Sequence, residues 1–292
     1  MKNLLKYLYF KIPFKRTFFS LLKKIWDPSI ETAGYLKFDD TFSLSVNGKK
    51  LYIQNKNLTI PTLLFWKGVA GYEPMTLQVW QELSIRSKVI FDVGSNFGLF
   101  ALLAKLANGE AMVTAFEPLK RNAQLIEKNC RCNDMNIGIE EIALSDHEGV
   151  ATFYDMDSFD NTIGSFNEDF VKRHRHHKAL NAIEVKTDTV DNYCLTRDID
   201  TIDLLKLDVE GAEEMVIMGA TGMIKKSFPC LIVEISDENS FDRIKKRILN
   251  LHKYKIYRID EDQMILEPDP TGKNQSRNFL FFPEESLPFS FN

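Results

Sequence analysis

The chain has 292 residues, of which 44% are apolar, 27% are charged and 12% are aromatic. This composition excludes a disordered, collagen-like or disulfide-rich protein, and the length predicts one or two domains. The formal net charge is −4, which argues against a protein that binds nucleic acid through a broad basic surface.

The first 26 residues are basic. They contain seven lysines and arginines and no acid, which leaves a net charge of −11 for the rest of the chain. Apolar and aromatic residues lie between these cations, a pattern typical of an interfacial anchor on anionic lipid. Packing in a core or against a partner protein is the alternative. Charges recur every few residues, so the segment is too polar for a signal peptide or a membrane span.

The cysteines and this segment predict where the protein resides. The four cysteines include no C-x-x-C pair, which favours a reduced protein. We therefore expect a cytoplasmic protein, with residues 1–26 in peripheral contact with the inner face of the membrane.

Strands and helices alternate along most of the remaining chain. A β-hairpin is expected within 35–60, where Asn47-Gly48 suits the turn. Buried strands are then predicted at 89–94, 112–117, 139–145, 202–209 and 231–236, and helices at 74–83, 97–108, 118–132 and 212–226. This order predicts an α/β fold with a doubly wound, mostly parallel sheet.

Two further segments decorate this pattern. An insertion at 146–200 contains a predicted hairpin at 150–154 and a strand at 183–187. Near the end, YKIYRI and NFLFF predict a terminal antiparallel hairpin. We expect a basic extension with a small β element at 1–67 and one catalytic domain at 68–292.

The sequence DVGSNFG, from Asp92 to Gly98, lies where the first buried strand turns into a helix. In a doubly wound sheet this turn is at the ligand-binding edge. A dinucleotide fingerprint requires Gly-x-Gly-x-x-Gly, whereas the pattern here is Asp-x-Gly-x-x-x-Gly. It suits S-adenosylmethionine, with the backbone of Gly94, Ser95, Asn96 and Gly98 close to the ligand and Asp92 near its ammonium group. An ordinary tight turn is the alternative.

Glu117 ends the second buried strand, 19 residues after Gly98. A carboxylate at this position can accept hydrogen bonds from both ribose hydroxyls of a nucleoside. Its combination with the glycine turn strengthens the interpretation of a cofactor site.

Residues 68–283 resemble the FkbM family of S-adenosylmethionine-dependent methyltransferases. The resemblance rests on VIFDVGSNFGLFALLAK, AFEPLKRNAQLIEKNC, IALSDHEGVATFY and, most specifically, IDLLKLDVEGAEEMVIMGA followed by LIVEIS. It implies a class I methyltransferase fold, which is Rossmann-like, and methyl transfer to a hydroxyl oxygen, usually of a sugar or a polyketide-like product. Residues 1–67 lie outside it.

The expected catalytic residues are carboxylates at the ends of two strands. Asp208 is placed near the reacting centre, Glu210 as a base or orienting group and Glu234 as a third contributor. Alternatively, Glu210 caps the next helix. These carboxylates could also bind a divalent cation, but we expect no metal because no histidine lies at ligand spacing among them.

Other polar residues receive weaker assignments. Glu73 matches a family position and is expected at the cofactor or the pocket, and Ser145 is expected at the adenine edge. Asn161 and Ser165 resemble a family motif that faces the acceptor. The run KRHRHH at 172–177 is interpreted as a solvated basic surface, or as a patch for an anionic acceptor.

The sequence thus predicts an O-methyltransferase that acts on a small-molecule or glycan acceptor. A nicotinamide-dependent oxidoreductase and a non-catalytic docking module are the competing functions. No nucleic-acid partner is expected, because no Asn-Pro-Pro-aromatic signature of base-flipping enzymes is present.

Overall fold

The structure is a computed structural model that describes residues 14–155, 164–166, 181–266 and 277–285. The chain divides into two compact units, the first of which ends at Tyr72 while the second begins at Glu73. No helix in these described ranges is long and apolar enough to cross a membrane.

From residue 14 onwards, the first unit combines three helices with a hairpin. Its elements are α1 (Lys15–Leu22), α2 (Ile30–Tyr35), β1 (Asp39–Val46), β2 (Lys49–Lys56), α3 (Thr59–Lys67) and a 3-10 turn (Gly68–Gly71). β1 and β2 pair antiparallel, and Asn47 and Gly48 form the turn with φ of 48° and 77°. Both values are positive, as a two-residue hairpin turn requires. The predicted hairpin is therefore confirmed.

The second unit is built on an eight-stranded sheet. Its strands are β3 (Val89–Val93), β4 (Met112–Phe116), β5 (Gly138–Glu140), β10 (Leu204–Leu207), β11 (Cys230–Glu234), β12 (Tyr254–Ile259), β13 (Met264–Leu266) and β14 (Asn278–Pro283). The spatial order is β13-β12-β14-β11-β10-β3-β4-β5. The five strands from β11 to β5 are parallel, whereas β12, β13 and β14 pair antiparallel. This arrangement confirms the predicted fold class.

Helices connect and cover the strands of this unit. They are α4 (Pro74–Arg86), α5 (Leu99–Ala107), α6 (Lys120–Cys132), α7 (Val190–Thr196), α8 (Glu213–Gly219), α9 (Thr221–Ser227) and α10 (Glu238–Leu251). The apolar core includes central residues of the sheet that are fully buried, such as Phe91, Leu205 and Leu231. These residues belong to runs that are apolar on both faces, as buried parallel strands require.

The prediction of one strand at 139–145 is wrong. β5 pairs with β4 in the large sheet, whereas β6 (Ala143–Leu144) joins a second sheet of order β6-β9-β7-β8. The other strands of that sheet are β7 (Gly149–Asp155), β8 (Gly164–Ser165) and β9 (Asn181–Asp188). Ala143 leaves the large sheet because it packs in a separate apolar cluster with Leu119, Phe153 and Val185. β9 confirms the strand expected at 183–187. The hairpin expected at 150–154 is instead the single strand β7, which pairs antiparallel with β9.

The single helix predicted at 212–226 is also wrong, since α8 and α9 are separate helices that meet at Ala220. The first turn of α9 is capped by a side chain from another helix, α7. The Asp191 carboxylate accepts hydrogen bonds from the backbone N–H groups of Gly222 and Met223, at 2.7 and 2.8 Å. This external cap satisfies the first N–H groups of a new helix, which periodicity in the sequence does not display.

Candidate active site

The order of the strands reverses beside β3. The chain passes from β3 to β4 and β5 on one side, and later enters β10 and β11 on the other. Ligands of doubly wound sheets bind at the carboxyl ends of the strands beside such a switch point. Four predicted site residues lie at this edge: Gly94 after β3, Glu117 after β4, Asp208 after β10 and Glu234 at the end of β11.

The glycine turn is held closely against the sheet. Gly94 has φ of 81°, and a Cβ atom added to it would lie 1.8 Å from the backbone oxygen of Asp208. The N–H groups of Gly94 and Ser95 both donate to the Phe116 carbonyl, at 3.0 and 3.1 Å. Gly98 has φ of 86°, and an added Cβ would lie 3.0 Å from Ile126. Both glycines are therefore required by conformation and space.

Glu117 supports this turn from the neighbouring strand. Its two carboxylate oxygens accept hydrogen bonds from the backbone N–H groups of Asn96 and Leu119, each at 2.9 Å. Burial raises the pKa of Glu117 to about 7. Each oxygen has a further lone pair, so the carboxylate can also accept hydrogen bonds from a ligand.

Asp92 is 1% exposed at the end of β3. Its Oδ2 accepts a hydrogen bond from the Ala101 N–H at 3.0 Å, whereas its buried Oδ1 has no hydrogen-bond partner. Burial raises the pKa of Asp92 to about 6, against the opposing effect of the Lys206 charge.

Lys206 is a site residue that the sequence reasoning missed. It is 2% exposed and lies directly beside Asp92 in the register of β10 and β3. Its Nζ donates to Asp208 Oδ2 at 2.7 Å and lies 4.2 Å from the centre of the Phe100 ring. Burial opposes its charge, but the carboxylates of Asp208, Asp92 and Glu73 raise the pKa of Lys206. A lysine within the buried run LLKL is itself a signal of a charged partner.

Asp208 and Glu234 form a pair of hydrogen-bonded carboxyl groups. The register of β10 and β11 places them side by side. Burial opposes ionisation of Asp208, but the charge of Lys206 and the hydrogen bonds from Glu234 and Lys206 hold the pKa of Asp208 below its ordinary value. The Asp208 charge and burial raise the pKa of Glu234 well above its ordinary value. The two carboxyl groups therefore have opposite pKa shifts, and a proton shared by the pair favours Glu234.

Glu210 lies in the turn after β10 with φ of 54°, and its backbone oxygen accepts a hydrogen bond from Ser165 Oγ at 2.6 Å. Burial, followed by the Asp208 charge, raises the pKa of Glu210 to about 8. The alternative role of Glu210 as a cap is taken by Glu213, whose Oε1 accepts from the N–H groups of Val209 and Gly211 at 3.3 and 3.0 Å. A positive φ is sparsely populated for a glutamate, so the surrounding contacts must hold this turn in place.

The remaining predicted residues lie in different places. Glu73, also with positive φ, joins the carboxyl cluster, since its Oε2 accepts from the Asn278 amide at 3.0 Å and Asn278 pairs with Glu234 in the sheet. The Ser145 N–H donates to the carbonyl of Asp188, the last residue of β9, and the Ser145 Oγ donates to the adjacent Asp146; its place at the adenine edge stays a prediction. Asn161 and the run at 172–177 lie outside the described residues.

This edge of the sheet has the groups that S-adenosylmethionine requires. The residues present fit this cofactor. Asp92 Oδ1 and Asn96 Oδ1 are buried acceptors without a hydrogen-bond partner, which suits an ammonium group. The Glu117 carboxylate has lone pairs left for hydroxyl donors, and Gly94 permits close backbone approach. Within the ranges that the structure describes, no group of three or more His, Cys, Asp or Glu residues is arranged to hold a metal ion.

Comparison with known proteins gives consistent results. Residues 92–259, more than half of the chain, match the methyltransferase FkbM domain. The 2-O-methyltransferase NoeI of Sinorhizobium fredii is 28% identical over 173 residues, which cover 56% of this chain and 70% of that protein. The 31-O-demethyl-FK506 methyltransferase FkbM of Streptomyces tacrolimicus is 28% identical over 174 residues, 51% of this chain and 65% of that protein.

A solved structure of similar description is also found. The crystal structure of methyltransferase FkbM from Methylobacillus flagellatus has 16% identity and a TM-score of 0.46, and the alignment covers 67% of this chain and 44% of that one. The chain thus spans less than half of that solved chain. From the match to the domain over most of the catalytic unit, we conclude that the chain belongs to the FkbM family of S-adenosylmethionine-dependent methyltransferases.

Proposed function

We propose that this protein is a cytoplasmic O-methyltransferase whose acceptor is a sugar hydroxyl of a glycan or glycolipid. The observation that carries the proposal is the half-buried Glu210, with a pKa raised to about 8, beside the carboxyl pair Asp208 and Glu234. Two relatives support oxygen as the acceptor atom, since their names describe a 2-O-methyltransferase and a 31-O-demethyl-FK506 methyltransferase. Family membership argues against the nicotinamide alternative.

The residues around the glycine turn would hold the cofactor. Asp92 and Asn96 provide acceptors for its ammonium group, and Glu117 provides acceptors for its ribose hydroxyls. When bound, S-adenosylmethionine supplies an electrophilic methyl group on a positively charged sulfur. The protein must position the acceptor and exclude water.

Glu210 is the proposed general base. An aliphatic hydroxyl is a weak nucleophile at neutral pH, and a positioned base contributes about 10²- to 10⁴-fold to such a reaction. A carboxylate with a pKa near 8 is a stronger base than an ordinary glutamate and is partly ionised at neutral pH. Glu210 Oε would take the hydroxyl proton, while Lys206 keeps Asp208 ionised and Glu234 remains protonated.

The polar groups near this base suit an acceptor with several hydroxyls. Glu73, Glu234 and Asn278 provide both acceptors and donors within one cluster. Carboxyl and amide groups can bind neighbouring hydroxyls in this way, which supports a sugar over an isolated alcohol.

The test is turnover with a panel of nucleotide sugars, oligosaccharides and simple alcohols. Formation of S-adenosylhomocysteine and a mass gain of one CH2 in a sugar would support the proposal. Glu210→Gln should lose about 100-fold in kcat and retain cofactor affinity, whereas the exposed control Glu261→Gln should retain both. Unchanged turnover in Glu210→Gln would refute the role of the base. Cofactor binding without turnover on any acceptor would favour the docking module.

The pH dependence of kcat provides a second readout. The ionised form of Glu210 is the active form, so the rate should rise about tenfold per pH unit below an apparent pKa of about 8 and level off above it. This limb should be lost in Glu210→Gln.

A further inference from the structure

Helix α1, the residue before it and the turn that follows it expose large apolar side chains. Phe14, Phe18, Leu21 and Ile25 are 82%, 52%, 59% and 85% exposed. The spacing of Phe18, Leu21 and Ile25 places these three within about 60° of one another around a helix, and Phe14 precedes the first helical residue. Helical hydrogen bonds run from Phe18 N–H to Phe14 O and from Trp26 N–H to Leu22 O, so helical turns extend beyond Leu22. These four residues are called the apolar stripe below.

A different face of helix α1 packs against the core of the first unit. Phe19 is 3% exposed, and its ring centre lies 6.3 Å from that of Phe38 and 5.4 Å from that of Trp66. The ring of Trp26 packs against Trp66 at 5.9 Å, and Lys23 Nζ donates to the Phe65 carbonyl. The helix therefore has a packed face that is distinct from the apolar stripe, and the core of this unit does not explain the stripe.

Exposed apolar side chains are concentrated in this part of the molecule. Of the sixteen large apolar side chains that are exposed among the described residues, seven lie within 14–35: the apolar stripe together with Trp26, Ile30 and Tyr35. Such a concentration of exposed apolar side chains favours an interaction site.

The charges beside the apolar stripe indicate the partner. Lys15, Arg16, Lys23 and Lys24 lie within the same turns, and the first acid of the chain is Asp27. Arg16 pairs with Asp40 and Lys23 donates to the Phe65 carbonyl, so the segment keeps a positive charge while these two side chains also hold it to its unit. Positive charges around an apolar face are complementary to an anionic membrane, whose headgroups are negatively charged and whose interior is apolar. A protein partner would need a matching acidic groove, whereas every anionic bilayer has both properties.

We propose that residues 14–26 bind the surface of an anionic membrane, with the apolar stripe inserted at the level of the upper acyl chains and Lys24 among the headgroups. The segment lies in the interface and does not span the bilayer, in agreement with the lack of a spanning helix in the described residues. This proposal does not depend on the acceptor or on methyl transfer.

The experiment is vesicle flotation with the full chain. One set of vesicles is pure phosphatidylcholine, and the other contains about one quarter phosphatidylglycerol. The full chain should float with the anionic vesicles and not with the neutral ones, and added salt should weaken binding. The triple variant Phe14→Ser/Phe18→Ser/Ile25→Ser should lose about tenfold or more in partitioning.

A matched control removes as many exposed apolar side chains elsewhere. Ile85, Val150 and Leu195 are 58%, 59% and 77% exposed, and their triple replacement by serine should leave vesicle binding unchanged. Unchanged circular dichroism of both variants shows that they fold. Failure of the full chain to bind anionic vesicles, or equal binding by the stripe variant, would overturn the proposal. It would also be overturned if the full chain self-associates without lipid and the stripe variant is monomeric, since the occupant is then a second copy.

Discussion

Lys206→Met keeps a long apolar side chain but removes the positive charge that faces Asp208 and Asp92. Lys206 is 2% exposed and Asp92 is 1% exposed, so water screens these charges weakly. Loss of one partner from a buried ion pair costs about 3–5 kcal/mol because it leaves an uncompensated charge. We expect the free energy of unfolding of Lys206→Met to fall by about this amount near neutral pH.

The sign of the pH dependence follows from the pKa shifts. The pKa of Asp208 is lowered in the folded protein, so its stabilising effect is present above its unfolded value of about 3.9 and is lost as pH falls through the folded value. Without Lys206, burial raises the pKa of Asp208 and Asp92, and protonation of these carboxyls relieves the unpaired charge. The loss of stability in Lys206→Met should therefore be largest at about pH 8 and shrink towards pH 5.

Urea unfolding of the wild type and the variant at several pH values measures this difference. The exposed Lys128→Met is the control and should change the free energy of unfolding by less than about 0.5 kcal/mol. The double variant Lys206→Met/Asp208→Asn should recover part of the loss, because both charges are then gone. A loss below about 1 kcal/mol, or an equal loss at all pH values, would refute the reasoning.

Three further predictions concern glycines and cofactor affinity. Gly94→Ala should lower the free energy of unfolding by about 2–5 kcal/mol and abolish cofactor binding. The new methyl group would collide with the Asp208 carbonyl, and φ at this position is positive. Melting and binding curves equal to those of the wild type would contradict this prediction. Gly219→Ala places a Cβ 2.0 Å from the Ser145 carbonyl and should lower the melting temperature, whereas Gly109→Ala, with open space around it, should not. Affinity for S-adenosylhomocysteine should fall below about pH 7 as Glu117 is protonated, and pH-independent calorimetry would refute this.

Much of the fold was predictable because periodicity and strand order are local properties of the sequence. Apolar runs such as VIFDV become central strands, and the glycine turn and Glu117 then follow at the carboxyl edge. The division of 139–145 between two sheets was not predictable, because it depends on the cluster in which Ala143 packs. The break at Ala220 depends on Asp191, which lies far away in the sequence.

The candidate site shows the same limit. Carboxylates at strand ends could be selected from the sequence. The different pKa shifts of Asp208, Glu210 and Glu234 depend on the charged groups that the fold places beside them. Lys206 was overlooked because it lies within an apolar run, and only the register with Asp92 reveals its partners. Which carboxyl retains a proton is thus a property of the folded protein.

The central claim is that the edge formed by Gly94 and Glu117 binds S-adenosylmethionine. Calorimetric titration of the full chain with S-adenosylhomocysteine, with NAD as a control ligand, tests it most directly. We predict binding with a Kd on the order of micromolar, weakened about tenfold or more in Glu117→Ala and unchanged in the exposed control Glu110→Ala. If the folded protein does not bind S-adenosylhomocysteine, or if Glu117→Ala binds it as tightly as the wild type, the account of this site is contradicted.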